Sequence, residues 1–96
     1  MRAEVIEADL RSKTSFDKVS GEITEMFGQL DYLVNNAAFY DDLPGWGVPF
    51  EQEGYDAWLA VMQVNLLAPF FLIQTLAPLL RQSKNGAVVN LSLIHI

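Results

Sequence analysis

Leu30-Asp31-Tyr32-Leu33-Val34-Asn35-Asn36-Ala37-Ala38 is the stretch whose reading decides the fold. Tyr32, Leu33 and Val34 form a short apolar run, with the turn signal Phe27-Gly28 before it and two carboxamides after it. A strand covered on both faces by helices reads this way. In open α/β sheets, ligands sit beyond the carboxyl ends of the strands. Two adjacent Asn residues there can bond backbone and ligand together, and Ala37-Ala38 let a flat ligand come close. The same Asn pair can equally begin a turn. The flanking sequence has to decide.

Composition narrows the choices. Ninety-six residues allow at most one small domain. A hydrophobic fraction of 51% and an aromatic fraction of 11% exclude a disordered tail. The net charge of -6, with only 6 basic residues, leaves no patch suited to nucleic acid. No cysteine is present, so disulfides and thiolate metal sites are out, and the single His95 cannot build a metal site alone. Met1-Arg2-Ala3-Glu4-Val5-Ile6-Glu7 is charged and alternating, with no visible signal peptide. A cytoplasmic protein is the expectation.

Around the opening stretch the pattern alternates. Val5-Ile6-Glu7-Ala8 reads as the end of a strand, closed by Asp9-Leu10. An Asp in that position can cap the following turn or accept a bond from a nucleotide base or ribose. Arg11 to Ser15 is polar, with Thr14 or Ser15 as helix N-cap. Phe16, Val19, Ile23, Met26 and Phe27 then fall on one helical face. Asp17 suits the helix dipole, and Gly28 suits a left-handed C-cap. Strand, helix, strand with short connections is the right-handed parallel βαβ pattern.

The next stretch, residues 39–53, is a loop rich in Asp, Pro and Gly. Its Phe39, Trp46 and Phe50 can line a substrate cleft or tack the loop onto the body, and packing is the commoner use of loop aromatics. A long helix follows, from Gly54 or Tyr55 to Gln82, uncharged over residues 57–80. Such a run raises a membrane span. Gln63, Asn65, Gln74 and Thr75 lie inside it without basic flanks or an aromatic belt, so a helix buried between a sheet and a partner subunit fits better. Pro69 has no N–H to give the Asn65 carbonyl, so the helix should bend there and free that carbonyl for a water. A tolerated kink with a locally satisfied Asn is the plainer alternative. The strand-end Asn pair, aimed at the same end of the sheet, favours a site. After Lys84-Asn85-Gly86, Ala87-Val88-Val89-Asn90-Leu91 reads as another strand, ending in Ser92.

Four of these pieces together resemble the short-chain dehydrogenase/reductase family. They are Asp9-Leu10, the run from Phe27-Gly28 to Asn35-Asn36-Ala37-Ala38, Val64-Asn65-Leu66-Leu67-Ala68-Pro69-Phe70, and Gly86-Ala87-Val88-Val89-Asn90-Leu91-Ser92. The resemblance implies an α/β fold, a partial Rossmann-type doubly wound parallel sheet holding the family's third, fourth and fifth strands. It implies NAD or NADP as cofactor. Asp9 and Leu10 would contact its adenine, and Asn35, Asn36 and Ala37 would shape the strand end beside its ribose. Asn65 would be the catalytic Asn that holds a water in the proton relay. Ala38 stands where the family usually has Gly, and the loop before Asn65 is longer than in compact members.

The family's Gly-rich phosphate loop and its Tyr-x-x-x-Lys do not occur in these residues, and Leu93 stands where the catalytic Ser would fall. The expectation is therefore an incomplete NAD(P)-binding domain over residues 1–90 and a non-native tail over 91–96. Leu91-Ser92-Leu93-Ile94-His95-Ile96 translates CTG TCT CTT ATA CAC ATC, a transposase end used in preparing sequencing libraries. Ser92 and His95 would then carry no functional meaning. The family's first and second strands sit between its third and fourth. The strand at Val5 is thus expected to lack a neighbour, and the isolated 96 residues to lack independent stability and activity. The implied function is an oxidoreductase acting on a small carbonyl or alcohol substrate, the full protein a homo-oligomer (dimer or tetramer) with no nucleic-acid or membrane partner. The alternative is a non-catalytic dinucleotide-binding or scaffolding relative. Asn65 favours the enzyme, since a binding module has no need of it.

Overall fold

The computed structural model describes residues 2–39 and 43–91 of the chain. The elements run α1 (Thr14–Met26), β1 (Tyr32–Asn35), a short 3-10 turn (Phe50–Gln52), α2 (Tyr55–Met62), a π-turn (Gln63–Leu67), α3 (Ala68–Gln82) and β2 (Ala87–Asn90). The expected readings of Asp41-Asp42, Ser92, Leu93 and the tail from 92 to 96 fall outside the described residues.

β1 and β2 pair in parallel, with Tyr32 opposite Ala87, Leu33 opposite Val88, Val34 opposite Val89 and Asn35 opposite Asn90. The α2–α3 rod makes the crossover between them. α1 ends as its sequence implies. The Phe27 and Gly28 N–H groups both bond the Ile23 carbonyl, and Gly28 takes φ 78°, the left-handed cap that glycine adopts without strain. Its start differs from expectation. Lys13 is the N-cap, with no side-chain cap bond, and the Ser15 hydroxyl instead donates to the Asp9 carbonyl at 2.6 Å. Ser15 is buried, so its hydroxyl takes the carbonyl that the entering chain presents there.

The core lies between α1 and α3. Phe16, Ala68, Leu72, Leu76 and Leu79 form its buried cluster, with Leu10, Ile23, Leu30, Leu33 and Phe71 packed against it. Ala68, Leu72, Leu76 and Leu79 repeat at helical spacing, which gives α3 one continuous apolar stripe. Phe16 stacks on Phe71 with ring centroids 6.4 Å apart. The Leu30 N–H bonds the Leu79 carbonyl at 3.2 Å, tying the entry to β1 directly to α3.

Three expectations need correction. Val5-Ile6-Glu7-Ala8 forms no strand. No described strand lies beside it, and an extended segment without a ladder leaves its backbone groups to water. β1 is covered on one face only: Leu33 turns to the core, while Tyr32 and Val34 are 66% and 54% exposed. α3, the described helix that contacts β1, lies on the Leu33 side. The helix at Pro69 does not simply bend. It opens into the π-turn, where the Ala68 N–H reaches back to the Gln63 carbonyl. An extra residue in the turn is one way a helix absorbs a missing proline N–H.

The continuous helical rod Tyr55–Gln82 has 28 residues, about 42 Å by helical rise, and sets the 48 Å long axis. The radius of gyration, 15.7 Å, exceeds the about 12.5 Å of a compact chain this long. Trp58, Leu59, Leu66, Leu67 and Phe70 are exposed along the rod, an uncovered apolar surface. By length and composition the rod would also suffice to cross a membrane, at mean hydropathy 1.7. Its stripe of four buried residues against α1 makes it the core helix of this fold.

Candidate functional site

The carboxyl ends of β1 and β2 finish together. Asn35 and Asn90 are cross-strand partners, and Asn35 Nδ2 donates to Asn90 Oδ1 at 2.7 Å. This amide pair closes the ladder where the Leu91 N–H takes the Asn35 carbonyl at 3.0 Å. Asn36 and Ala37 follow, both exposed, and the chain turns past Ala38 to Phe39.

Phe39 is where Asn65 acts. The Asn65 carboxamide meets the Phe39 backbone at two points: Oδ1 accepts the Phe39 N–H at 2.9 Å, and Nδ2 donates to the Phe39 carbonyl at 3.2 Å. A carboxamide carries a donor and an acceptor side by side, so it can pair with one residue's backbone as a neighbouring strand would. The clamp fixes the strand-end loop to the π-turn, since Asn65 is the middle residue of Gln63–Leu67. The Asn65 side chain is thus committed to structure. Its own carbonyl lacks the ordinary helical donor, because residue 69 is proline.

Asp9 and Leu10, just before α1, divide the work. Leu10 packs against the buried cluster, which anchors this corner. Asp9 stays at the surface, where Oδ1 accepts the Arg11 backbone N–H at 2.9 Å and the Arg11 guanidinium lies 3.4 Å away. The Arg11 backbone N–H, helped by its guanidinium, holds the Asp9 carboxyl below its ordinary value, so it is a full anion at neutral pH. Glu7, Ala8, Asp9, Ser15 and Lys18 line an open cleft of about 360 Å³ beside it. Among the described residues, no cluster of His, Cys, Asp and Glu is fit to hold a metal ion.

The structure links the predicted residues in two sets. Asn35, with Asn36 and Ala37 after it, and Asn65 are joined through the strand end and Phe39. Asp9 approaches that set through Arg11, whose guanidinium carbon lies 5.5 Å from the Phe39 ring centroid. Sequence reasoning missed Arg11, Phe39 and Asn90 as site residues. Asn90 was findable, because two strands that each end in Asn at one sheet edge will place those amides side by side.

Two parallel strands joined through a long helix are the frame on which sequence comparison bears. A sequence model described as short chain dehydrogenase matches residues 1–95. The chain belongs to that family. It is 38% identical over 83 residues, 86% of its length, to the rhamnolipids biosynthesis 3-oxoacyl-[acyl-carrier-protein] reductase of Pseudomonas aeruginosa, covering 30% of that protein. Among solved structures it superposes on a metagenomic short-chain oxidoreductase in complex with NADP with a TM-score of 0.76 at 29% identity, covering 91% of this chain and 37% of that one. It also superposes on the Pseudomonas aeruginosa RhlG/NADP active-site complex with a TM-score of 0.74 at 36% identity, covering 88% and 33%. The chain spans about a third of the length of the curated relatives it matches. The short-chain dehydrogenase fold accounts for the parallel β1–β2 pair and its crossover.

Proposed function

We propose that this chain is part of a soluble, cytoplasmic NAD(P)-dependent oxidoreductase that moves hydride between a nicotinamide and a carbonyl or alcohol carbon. The observation that carries the reading is the Asn65 clamp on Phe39. It sets a helix residue with a donor-poor carbonyl beside the carboxyl end of the sheet, where that carbonyl is open to hold a water. Relatives are named as a 3-oxoacyl-[acyl-carrier-protein] reductase, a galactitol 2-dehydrogenase and a 3beta-hydroxysteroid dehydrogenase, and several solved neighbours hold NADP or NADPH.

The residues present fit a dinucleotide. Asp9 offers an exposed anionic acceptor whose Oδ2, among the described residues, meets Arg11 Nη2 at 3.5 Å, a long contact that leaves room for a purine amino group. Asn36 and Ala37 are exposed past the end of β1, where a ribose can approach a small side chain. The cofactor, when bound, would supply the hydride donor or acceptor. The part of this chain is to position: Asn35 with Asn90 holds the strand ends, the Asn65 side chain holds the loop, and the Asn65 carbonyl can hold a water that passes a proton onward. A Tyr-x-x-x-Lys pair for acid–base work is not in these residues, so the 96-residue chain alone is expected to be inactive.

The test is a full-length protein carrying Asn65→Ala, assayed with both nicotinamides against a panel of ketones and secondary alcohols. Loss of the side-chain clamp leaves the Asn65 backbone carbonyl in place but frees the Phe39 loop beside it, and should lower kcat by up to about a hundredfold if the clamp holds the proton-relay geometry. A kcat within twofold of the unsubstituted protein would remove the Asn65 side chain from the mechanism. A panel with no turnover by the unsubstituted protein would favour a non-catalytic binding protein.

A further inference from the structure

Arg11 takes no part in the reading above, yet it touches both halves of the site. Its backbone N–H and its Nε converge on Asp9 Oδ1, at 2.9 Å and 3.4 Å, while Nη2 lies 3.5 Å from Oδ2. The same guanidinium faces the Phe39 ring at 5.5 Å. Phe39 is the residue whose backbone Asn65 holds at both polar atoms. A continuous path therefore runs Asp9, Arg11, Phe39, Asn65, from the expected adenine contact to the expected catalytic Asn.

We propose that Arg11 is a positioning residue for the nucleotide: it orients the Asp9 carboxylate and braces the Phe39 loop, so that both halves of the site are set before the cofactor arrives. The proposal rests on the reading of Asp9 as a nucleotide contact. A planar guanidinium is suited to this double task, because its edge donates to a carboxylate while its face lies on an aromatic ring. Oδ1 is committed to Arg11 twice and Oδ2 only at long range, which leaves Oδ2 as the acceptor open to a ligand N–H.

The side chains of Arg11 and Asp9 are 51% and 58% exposed, and exposed pairs contribute little to folding. Arg11 therefore orients rather than stabilises, and this separates it from a structural residue. Arg11→Ala, Arg11→Lys, Phe39→Leu and the Arg11→Ala/Phe39→Leu double variant of the full-length protein would be titrated with NADH and NADPH by nicotinamide fluorescence. Thermal melts and steady-state kinetics would run alongside.

Arg11→Ala should weaken cofactor binding by roughly three- to tenfold, the size of a lost charge-assisted contact, while Tm moves by no more than about 2 °C. The change should fall on the cofactor KM more than on kcat, and Arg11→Lys should recover part of it. In the Phe39→Leu background the effect of removing Arg11 should shrink, because the two residues act on one loop. Unchanged binding in Arg11→Ala, or its full effect persisting in the Phe39→Leu background, overturns the proposal while leaving the nucleotide site intact. A wild-type protein that binds neither nucleotide removes the site and the proposal together.

Discussion

Two segments of this chain have strand-like sequences, and only one is a strand. Tyr32-Leu33-Val34-Asn35 lies in a parallel ladder with Ala87–Asn90, its register set residue by residue. Val5-Ile6-Glu7-Ala8 has comparable apolar content and no regular structure, and Val5 is 94% exposed. The difference lies in partners. β1 has β2 on one edge and the α1–α3 core under Leu33, whereas the segment at Val5 has no strand partner among the described residues; Arg2 before it lies 4.9 Å from the Phe27 ring centroid, and the remaining ties are near its end. There the Asp9 carbonyl accepts the Ser12 N–H at 3.0 Å and the Ser15 hydroxyl, and the Lys18 ammonium donates to the Glu7 carbonyl at 2.6 Å. Strand propensity measures fit to a pleated, half-buried surface, and it is realised only when that surface exists.

The largest effect that would sharpen this contrast is in the core. Leu76 is 1% exposed and packs in the cluster that supports β1. Leu76→Ala should cost about 2–5 kcal/mol in denaturant unfolding, as buried leucines do. Val5→Ala, at an exposed position, should stay within about 0.5 kcal/mol. Comparable losses at the two positions would mean that the segment at Val5 is packed in solution, and the contrast would collapse.

A smaller effect tests how β2 is delivered to β1. A Cβ on Gly86 would lie 2.5 Å from the Leu80 carbonyl oxygen, closer than side-chain carbons are found to other atoms. The turn from α3 into β2 therefore has no room for a side chain. Gly86→Ala should cost about 1–3 kcal/mol, the usual size of an overpacking penalty. Gly28→Ala meets open space and strains only the backbone at φ 78°, so about 1–2 kcal/mol is expected. A neutral Gly86→Ala would show that α3 and β2 can separate without loss, and that the ladder is set by the strands alone.

What was legible in the sequence was local. The Gly28 cap, the apolar run of β1, the extent of the Tyr55–Gln82 rod and the start of β2 after Gly86 all follow from spacing and from residues that stop helices. Pro69 marked the right place for a helix irregularity, but not its form, because a bend and a π-turn both answer a missing N–H. The loop aromatics divided their roles: Trp46 packs edge-on against Trp58 at 5.2 Å, while Phe50 stays exposed at the 3-10 turn. The contacts that build the site were not legible. Asn65 and Phe39 are 26 residues apart and Asn35 and Asn90 are 55 apart, and no local period encodes such pairings. The resemblance to short-chain dehydrogenases named Asn65 and Asp9, but not the means by which this chain holds them.

The smallest effect concerns that holding, at the boundary between the ordered edge and the open segment. The Asp9 carboxyl titrates below its ordinary 3.8, first because it accepts the Arg11 backbone N–H and second because of the Arg11 side chain. A depressed folded-state value contributes stability that is present above the unfolded value and is lost as pH falls through the folded one. The Asp9 contribution should therefore be complete at neutral pH and disappear only in acid, below about pH 4. A carboxyl-detected NMR titration resolves the two causes, since Arg11→Ala removes the guanidinium and keeps the backbone N–H. Asp9 in that variant should move only part of the way back toward 3.8. A complete return would mean that the guanidinium alone holds the carboxylate. The turn at Asp9 would then be held by the bonds its carbonyl accepts from Ser12 and Ser15, and the line between the two regions would be drawn by the backbone and not by the carboxylate.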